Sequence, residues 1–229
     1  VEDLSAYITE FSALMKSYGQ QAVYYAHAGA GELHLRPILN LKKEEDVELF
    51  RKITTDVAAL VKKYGGSMSG EHGDGRVRAE FIEYMIGQEN YQLLRKIKNI
   101  FDPQHIFNPG KSIDAPPMDE GLRYTPGRKE PEIKTLMNFS DSLGILRGVE
   151  NCNGSGDCRK PAEAGGTMCP SYRATRNEKD TTRARANALR EFLTHSEKEN
   201  RFDHEELKEF LDLCISCKCC NSECPSNVD

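Results

Sequence analysis

Cys214–Pro225 reads CISCKCCNSECP. Within it Cys214, Cys217, Cys220 and Cys224 stand as C-x2-C-x2-C-x3-C-P. At that spacing three thiolates on one tight turn reach three corners of an iron–sulfur cube, and the fourth, followed by proline, serves a second cluster. Four thiolates also suit a tetrahedral zinc ion, so zinc is the rival reading. On either reading metal–sulfur bonds organise the end of the chain.

All eight cysteines lie at or beyond residue 152 of a 229-residue chain. A disulfide scaffold would be short and secreted. This distribution, with ligand spacing, predicts a reducing, cytoplasmic compartment. Cys152, Cys158 and Cys169, the last followed by Pro170, repeat the motif with one gap, because Ser155 stands where its middle cysteine would be. By the exchange rule one cluster takes Cys169, Cys214, Cys217 and Cys220. The other takes Cys152, Cys158 and Cys224, and three thiolates hold either a 3Fe-4S cluster or a 4Fe-4S cluster with a non-cysteine ligand. Cys219 is spare and reads as a small buried side chain. The 44 residues between Cys169 and Cys214 predict helices over 182–195 and 204–213. So long a helical insert is similar to the α-helical ferredoxin, not the compact β type. Arg173, Arg176, Lys179, Arg183, Arg185 and Arg190 read as a solvated helix face, or as a surface that docks an acidic partner or offsets cluster charge.

Composition excludes several classes. With 38% hydrophobic residues the chain can bury a core, and a net charge of −5 gives no pull toward nucleic acid. No apolar run reaches the roughly 18–20 residues of a transmembrane segment. The chain starts at Val1, and its ends read as cut ends of a longer protein.

Upstream of the cysteines the pattern is α+β. Apolar spacing predicts a helix over 3–18, with Leu4, Tyr7, Ile8, Phe11 and Leu14 on one face. Strands are expected at 22–27 and 33–39, joined by a glycine turn. A long helix over 44–64 closes on Gly65-Gly66. Further helices are expected over 78–86 and 89–100. Residues 112–148 are proline-rich and read as a linker, which divides the chain into 1–111, 112–148 and 149–229.

Two stretches of the first segment carry candidate chemistry. In HAGAGELHLRP (27–37) a hairpin can bring His27 and His34 to one point, and Glu71 of SGEHGDGRVR (69–78) can add a carboxylate. Two His and a carboxylate are a common set for a divalent metal. His72 is a candidate general base. Gly70 and Gly73 would let backbone approach a flat ligand closely.

HAGAGELHLRP, GGSMSGEHGDGRVR and FDPQHIFNPGK, in that order, resemble the C-terminal (cap) part of FAD-linked oxidases of the vanillyl-alcohol oxidase superfamily, in the D-lactate, glycolate and D-2-hydroxyglutarate dehydrogenase branch. The cysteine-rich end resembles the ferredoxin segment fused to that oxidase in large bacterial enzymes. The resemblance implies an upstream FAD-binding domain, a 2-hydroxy acid substrate, and electrons passed from FAD through the clusters to a quinone or redox protein. Such an enzyme would be cytoplasmic, free or peripheral on the inner face of the membrane. It also implies Zn or Mn at His27, His34 and Glu71, proton abstraction by His72, and Asn108 and Lys111 near the flavin. Two positions depart from the family pattern. Ala30-Gly31-Glu32 replaces a frequent Asp-Gly-Asn, and Arg36 replaces a frequent Asn; Arg36 could hold a substrate carboxylate.

Overall fold

A computed structural model describes residues 2–228. The chain forms two compact units that meet in sequence at Arg128 and Lys129.

In the first unit, helix α1 (Leu4–Ser17) and helix α2 (Glu44–Lys63) pack together behind a hairpin of β1 (Ala22–His27) and β2 (Glu32–Pro37). Phe11, Met15 and Ile53 are buried between them, with Ala22 and Leu35 of the hairpin packed against that core. Leu4 of the expected apolar face is exposed instead. Acidic Glu44, Glu45 and Asp46 open α2 and Lys62 and Lys63 close it, in line with the helix dipole. Its end is a Schellman turn: Gly66 N–H donates to Val61 C=O and Gly65 N–H, at φ 65°, to Lys62 C=O.

The hairpin pairs Val23 with Arg36, Tyr25 with His34, and His27 with Glu32. Directly opposed residues share a face, and faces alternate with period two. Ala22, Tyr24, Leu35 and Pro37 therefore belong to the face packed on the helices. Tyr25, His27, Glu32, His34 and Arg36 share the other. The helix expected over 78–86 is broken into α3 (Gly75–Arg78), a 3-10 turn (Ala79–Phe81) and α4 (Ile82–Ile86). Helix α5 (Gln88–Phe101) follows.

The proline-rich stretch is divided between the units. Met118 is buried against Ala58 and Phe81. Arg51 donates to Asp119 at 2.6 and 2.7 Å and to Glu80 at 2.8 and 3.1 Å. The Arg51 fork thus holds residues near 119 to α2, at a separation in sequence that composition does not reveal.

The second unit contains helices and no strand among the described residues: α6 (Ile145–Glu150), α7 (Pro170–Thr175), α8 (Thr182–His195), α9 (Glu205–Leu211) and α10 (Cys219–Glu223). Leu146, Val149, Cys152, Ala186, Leu193 and Val228 form one core. Cys158, Met168 and Cys169 form a second, with Cys219, Cys220 and Cys224 against it. Helix α8 is capped by buried Thr181, whose hydroxyl accepts from Ala184 N–H at 3.0 Å and donates to Glu178 C=O at 2.8 Å.

Candidate functional site

The hairpin turn places His27 at the end of β1 and Glu32 at the start of β2, with His34 two residues further on the same face. Glu71 arrives from the loop after α2. One ligand atom from each of His27, Glu32, His34 and Glu71 lies within 4.8 Å of all the others. His34 Nε2 is 3.2 Å from Glu71 Oε1, and His27 Nδ1 is 3.5 Å from Glu71 Oε2. His27 Nδ1 also lies 2.6 Å from Glu32 Oε1, yet that oxygen is buried and makes no hydrogen bond. Only 10% of the Glu32 side chain is exposed, and a buried carboxylate needs a positive partner. The set of two imidazoles and two carboxylates fits a divalent ion such as zinc or manganese.

The structure thus brings together the three residues expected from sequence and adds Glu32. The signal was available, since Glu32 stands two residues before His34 in a period-two strand. Gly70 has a local reason: a Cβ there would lie 2.6 Å from Glu32 Oε2 and 3.0 Å from Glu32 Cβ. Gly73 has φ 68°, a left-handed conformation that favours glycine.

His72 lies at the edge of the cluster, 75% exposed, with Nε2 2.8 Å from Glu71 Oε1. Partial burial pushes the Glu71 carboxyl up. The Glu32 side chain and the charges of His72, His27 and His34 pull it further down, to a net value below the ordinary one. Arg36 is exposed on the same hairpin face with its guanidinium carbon 5.4 Å from the Tyr25 ring centre. Asn108 (φ 46°) and Lys111 are exposed on a turn after α5. Asp102 anchors that turn, accepting from Ile106 and Phe107 N–H at 2.9 Å and from Lys98 Nζ at 2.6 Å.

In the second unit Cys169, Cys214, Cys217 and Cys220 line one cavity. This is the set that the exchange rule gives. Cys169, Ser216 and Lys218, beside or among these cysteines, have φ 53°, 51° and 60°, the left-handed region that side chains other than glycine seldom adopt. Cys152 and Cys158 are buried in separate cores, and Cys224 packs against both.

Cys169 Sγ accepts from Thr182 N–H at 3.0 Å and lies 2.9 Å from Thr182 Oγ1. A hydrogen bond with Cys158 holds the Cys169 thiol below its ordinary value and raises Cys158, and burial raises both. Glu223 locks the two cysteine motifs together: its carboxylate accepts from Thr167 and Met168 N–H at 2.8–3.0 Å. Thr167 Oγ1 in turn lies 2.9 Å from Cys219 Sγ. Of the six basic residues Arg176 and Lys179 are exposed, and the other four are tied to the protein. Arg173 donates to Met168 and Gly165 C=O, Arg183 pairs with Glu178, Arg190 with Glu191, and Arg185 is buried.

Residues 1–112 match the family model for the C-terminal domain of FAD-linked oxidases, and residues 151–229 that for the 4Fe-4S dicluster domain. The chain is 34% identical to a D-2-hydroxyglutarate dehydrogenase of Haemophilus influenzae over 264 aligned positions and to one of Escherichia coli over 270, each covering 100% of this chain and 25% of the relative. A D-lactate dehydrogenase of Archaeoglobus fulgidus is 36% identical over 110 positions, 48% of this chain and 24% of the relative. The chain therefore spans about a quarter of the length of these curated relatives. No solved structure matches the chain significantly.

Proposed function

Because the chain joins a C-terminal domain of FAD-linked oxidases to a 4Fe-4S dicluster domain, we propose that it works in a flavin and iron–sulfur dehydrogenase that oxidises a 2-hydroxy acid. The names of its relatives point to D-2-hydroxyglutarate or D-lactate, with glycolate the third member of the class. The observation that carries this reading is the convergence of His27, Glu32, His34 and Glu71 within 4.8 Å, with His72 at its rim.

When bound, the flavin supplies a hydride acceptor, the divalent ion polarises the substrate oxygen, and the clusters carry single electrons. The chain's own residues do the rest. His27, His34, Glu71 and Glu32 hold the ion. His72 takes the proton of the 2-hydroxyl at the ring nitrogen turned away from Glu71, and Glu71, 2.8 Å from Nε2, stabilises the imidazolium that results. Arg36, on the same hairpin face, holds the substrate carboxylate by its fork. Asn108 and Lys111 bound the flavin side. Cys169, Cys214, Cys217 and Cys220 hold one 4Fe-4S cluster in the manner of an α-helical ferredoxin. Cys152, Cys158 and Cys224 hold the other, as a 3Fe-4S centre or as a 4Fe-4S centre with one non-cysteine ligand. A FAD-binding domain, and a quinone or redox protein as acceptor, complete the system. Among the described residues no helix is long and apolar enough to cross a membrane. We place the enzyme in the cytoplasm, free or peripheral at the membrane's inner face.

The test is stopped-flow reduction of the flavin by D-2-hydroxyglutarate, D-lactate and glycolate in the FAD-containing enzyme. Replacing His72 by Gln is expected to slow the reductive step about 10²–10⁴-fold while bound metal is retained. Unchanged flavin reduction in that variant removes His72 from the role, and no reduction by any 2-hydroxy acid in the parent removes the reading.

A further inference from the structure

Arg185 projects from the first turns of α8 into the cavity lined by Cys169, Cys214, Cys217 and Cys220. It is 8% exposed. Its Nε donates to Phe210 C=O at 2.9 Å and its Nη2 to Ser171 Oγ at 3.0 Å. Both partners are neutral, and among the described residues no carboxylate lies within ion-pair distance of it. The neighbouring arginines show the contrast, since Arg183 and Arg190 each pair with a glutamate. Arginine stays protonated under all ordinary conditions, so it cannot relieve its burial by losing a proton. A buried cation without an anion is costly and persists where something negative completes it. The cavity supplies such a group: four thiolates around a 4Fe-4S core of charge +2 leave a net −2, and one added electron makes it −3.

We propose that Arg185 is the built-in counter-charge of the cluster at Cys169, Cys214, Cys217 and Cys220, and that it sets that cluster's reduction potential above that of an otherwise equal site. The reduced form carries one more negative charge, so a fixed cation stabilises it more than the oxidised form. Net charge and hydrogen bonding at the sulfurs are established determinants of cluster potential, and Thr182 acts in the same direction through Cys169 Sγ. The Phe210 and Ser171 bonds hold the guanidinium in place. This proposal rests on the cluster assignment above.

The experiment is an EPR-monitored redox titration of the anaerobically purified chain with its clusters, beside iron and sulfide analysis. Wild-type chain without iron–sulfur signals would refute the cluster assignment itself. Given those signals, Arg185→Gln is expected to move one of the two midpoint potentials downward and leave the other in place. Arg185→Lys, which keeps the charge, is expected to recover most of the shift. Unmoved potentials in the Gln variant, or equal shifts in Gln and Lys, overturn the proposal. Should the Gln variant fail to hold that cluster, Arg185→Lys decides. A Lys variant with the cluster and a near-wild-type potential supports the role of charge, and loss of the cluster in both variants assigns Arg185 to packing.

Discussion

A second carboxylate changes what the hairpin site can do. Glu71 alone would leave a divalent ion with one positive charge, whereas Glu71 and Glu32 together neutralise it. On the proposed reading, a neutral centre would attract a substrate carboxylate less and leave more of that task to Arg36 on the same face. Glu32→Gln keeps size and removes charge, so it is expected to weaken metal retention at least ~10-fold, the scale on which even outer partners of metal ligands act. Dialysis against graded chelator followed by zinc and manganese analysis measures this. Equal retention in wild type and variant would take Glu32 out of the ligand set. Gly70→Ala should act in the same direction, because its Cβ would meet Glu32 Oε2 at 2.6 Å and force the carboxylate to move.

At the scale of elements, two anchors carry more than their exposure suggests. Thr181 is fully buried and both accepts and donates at the start of α8, the helix that presents Arg185. Thr181→Ala is expected to cost about 1–2 kcal/mol, read as a lower midpoint in denaturant unfolding. Asp102 anchors the turn after α5, and its carboxyl is held down to about 2 from 3.8, first by Lys98, then against the opposing effect of burial, and by Ile106 and Phe107 N–H. A depressed folded-state value means that this stabilisation is complete above about pH 4 and fades as pH falls toward 2. Asp102→Asn should therefore lower thermal stability at pH 7 and narrow the gap from wild type near pH 2. A constant gap across that range would show that the carboxylate's charge is irrelevant. The elements most legible in sequence were those with local punctuation: α2 with its Gly65-Gly66 stop, β1, and α8 after Thr181. Helices α7 and α10 were not read because their starts depend on left-handed Cys169 and Lys218, which pattern does not mark. The break of 78–86 into three short pieces was likewise hidden, since its apolar spacing continues through the turn. At the site, His27, His34 and Glu71 were legible from residue type and motif, but Glu32 required the register, and Arg185 looked like any surface arginine until burial separated it from its neighbours.

At the scale of the whole molecule, the two units owe their stability to different things. Phe11, Met15 and Ile53 give the first unit an apolar core with no cysteine in it. In the second unit buried cysteines are members of both cores: Cys152 in one, Cys158 and Cys169 in the other. Metal-linked cysteines couple ligand binding to folding, because the site does not exist in the unfolded chain. Units with separate cores can also unfold separately. Calorimetry of the cluster-loaded chain is therefore expected to give two transitions. Removing iron anaerobically with an oxidant and chelator should lower one of them by more than 10 °C, on the order of the several kcal/mol that metal–thiolate sites contribute. The other transition should stay within a degree or two and instead respond to zinc or manganese binding at His27, Glu32, His34 and Glu71, through the ordinary linkage of a ligand to the folded state. A single transition that moves as one under both treatments would mean that the units are energetically fused, and that the cysteines of the second also stabilise the fold of the first.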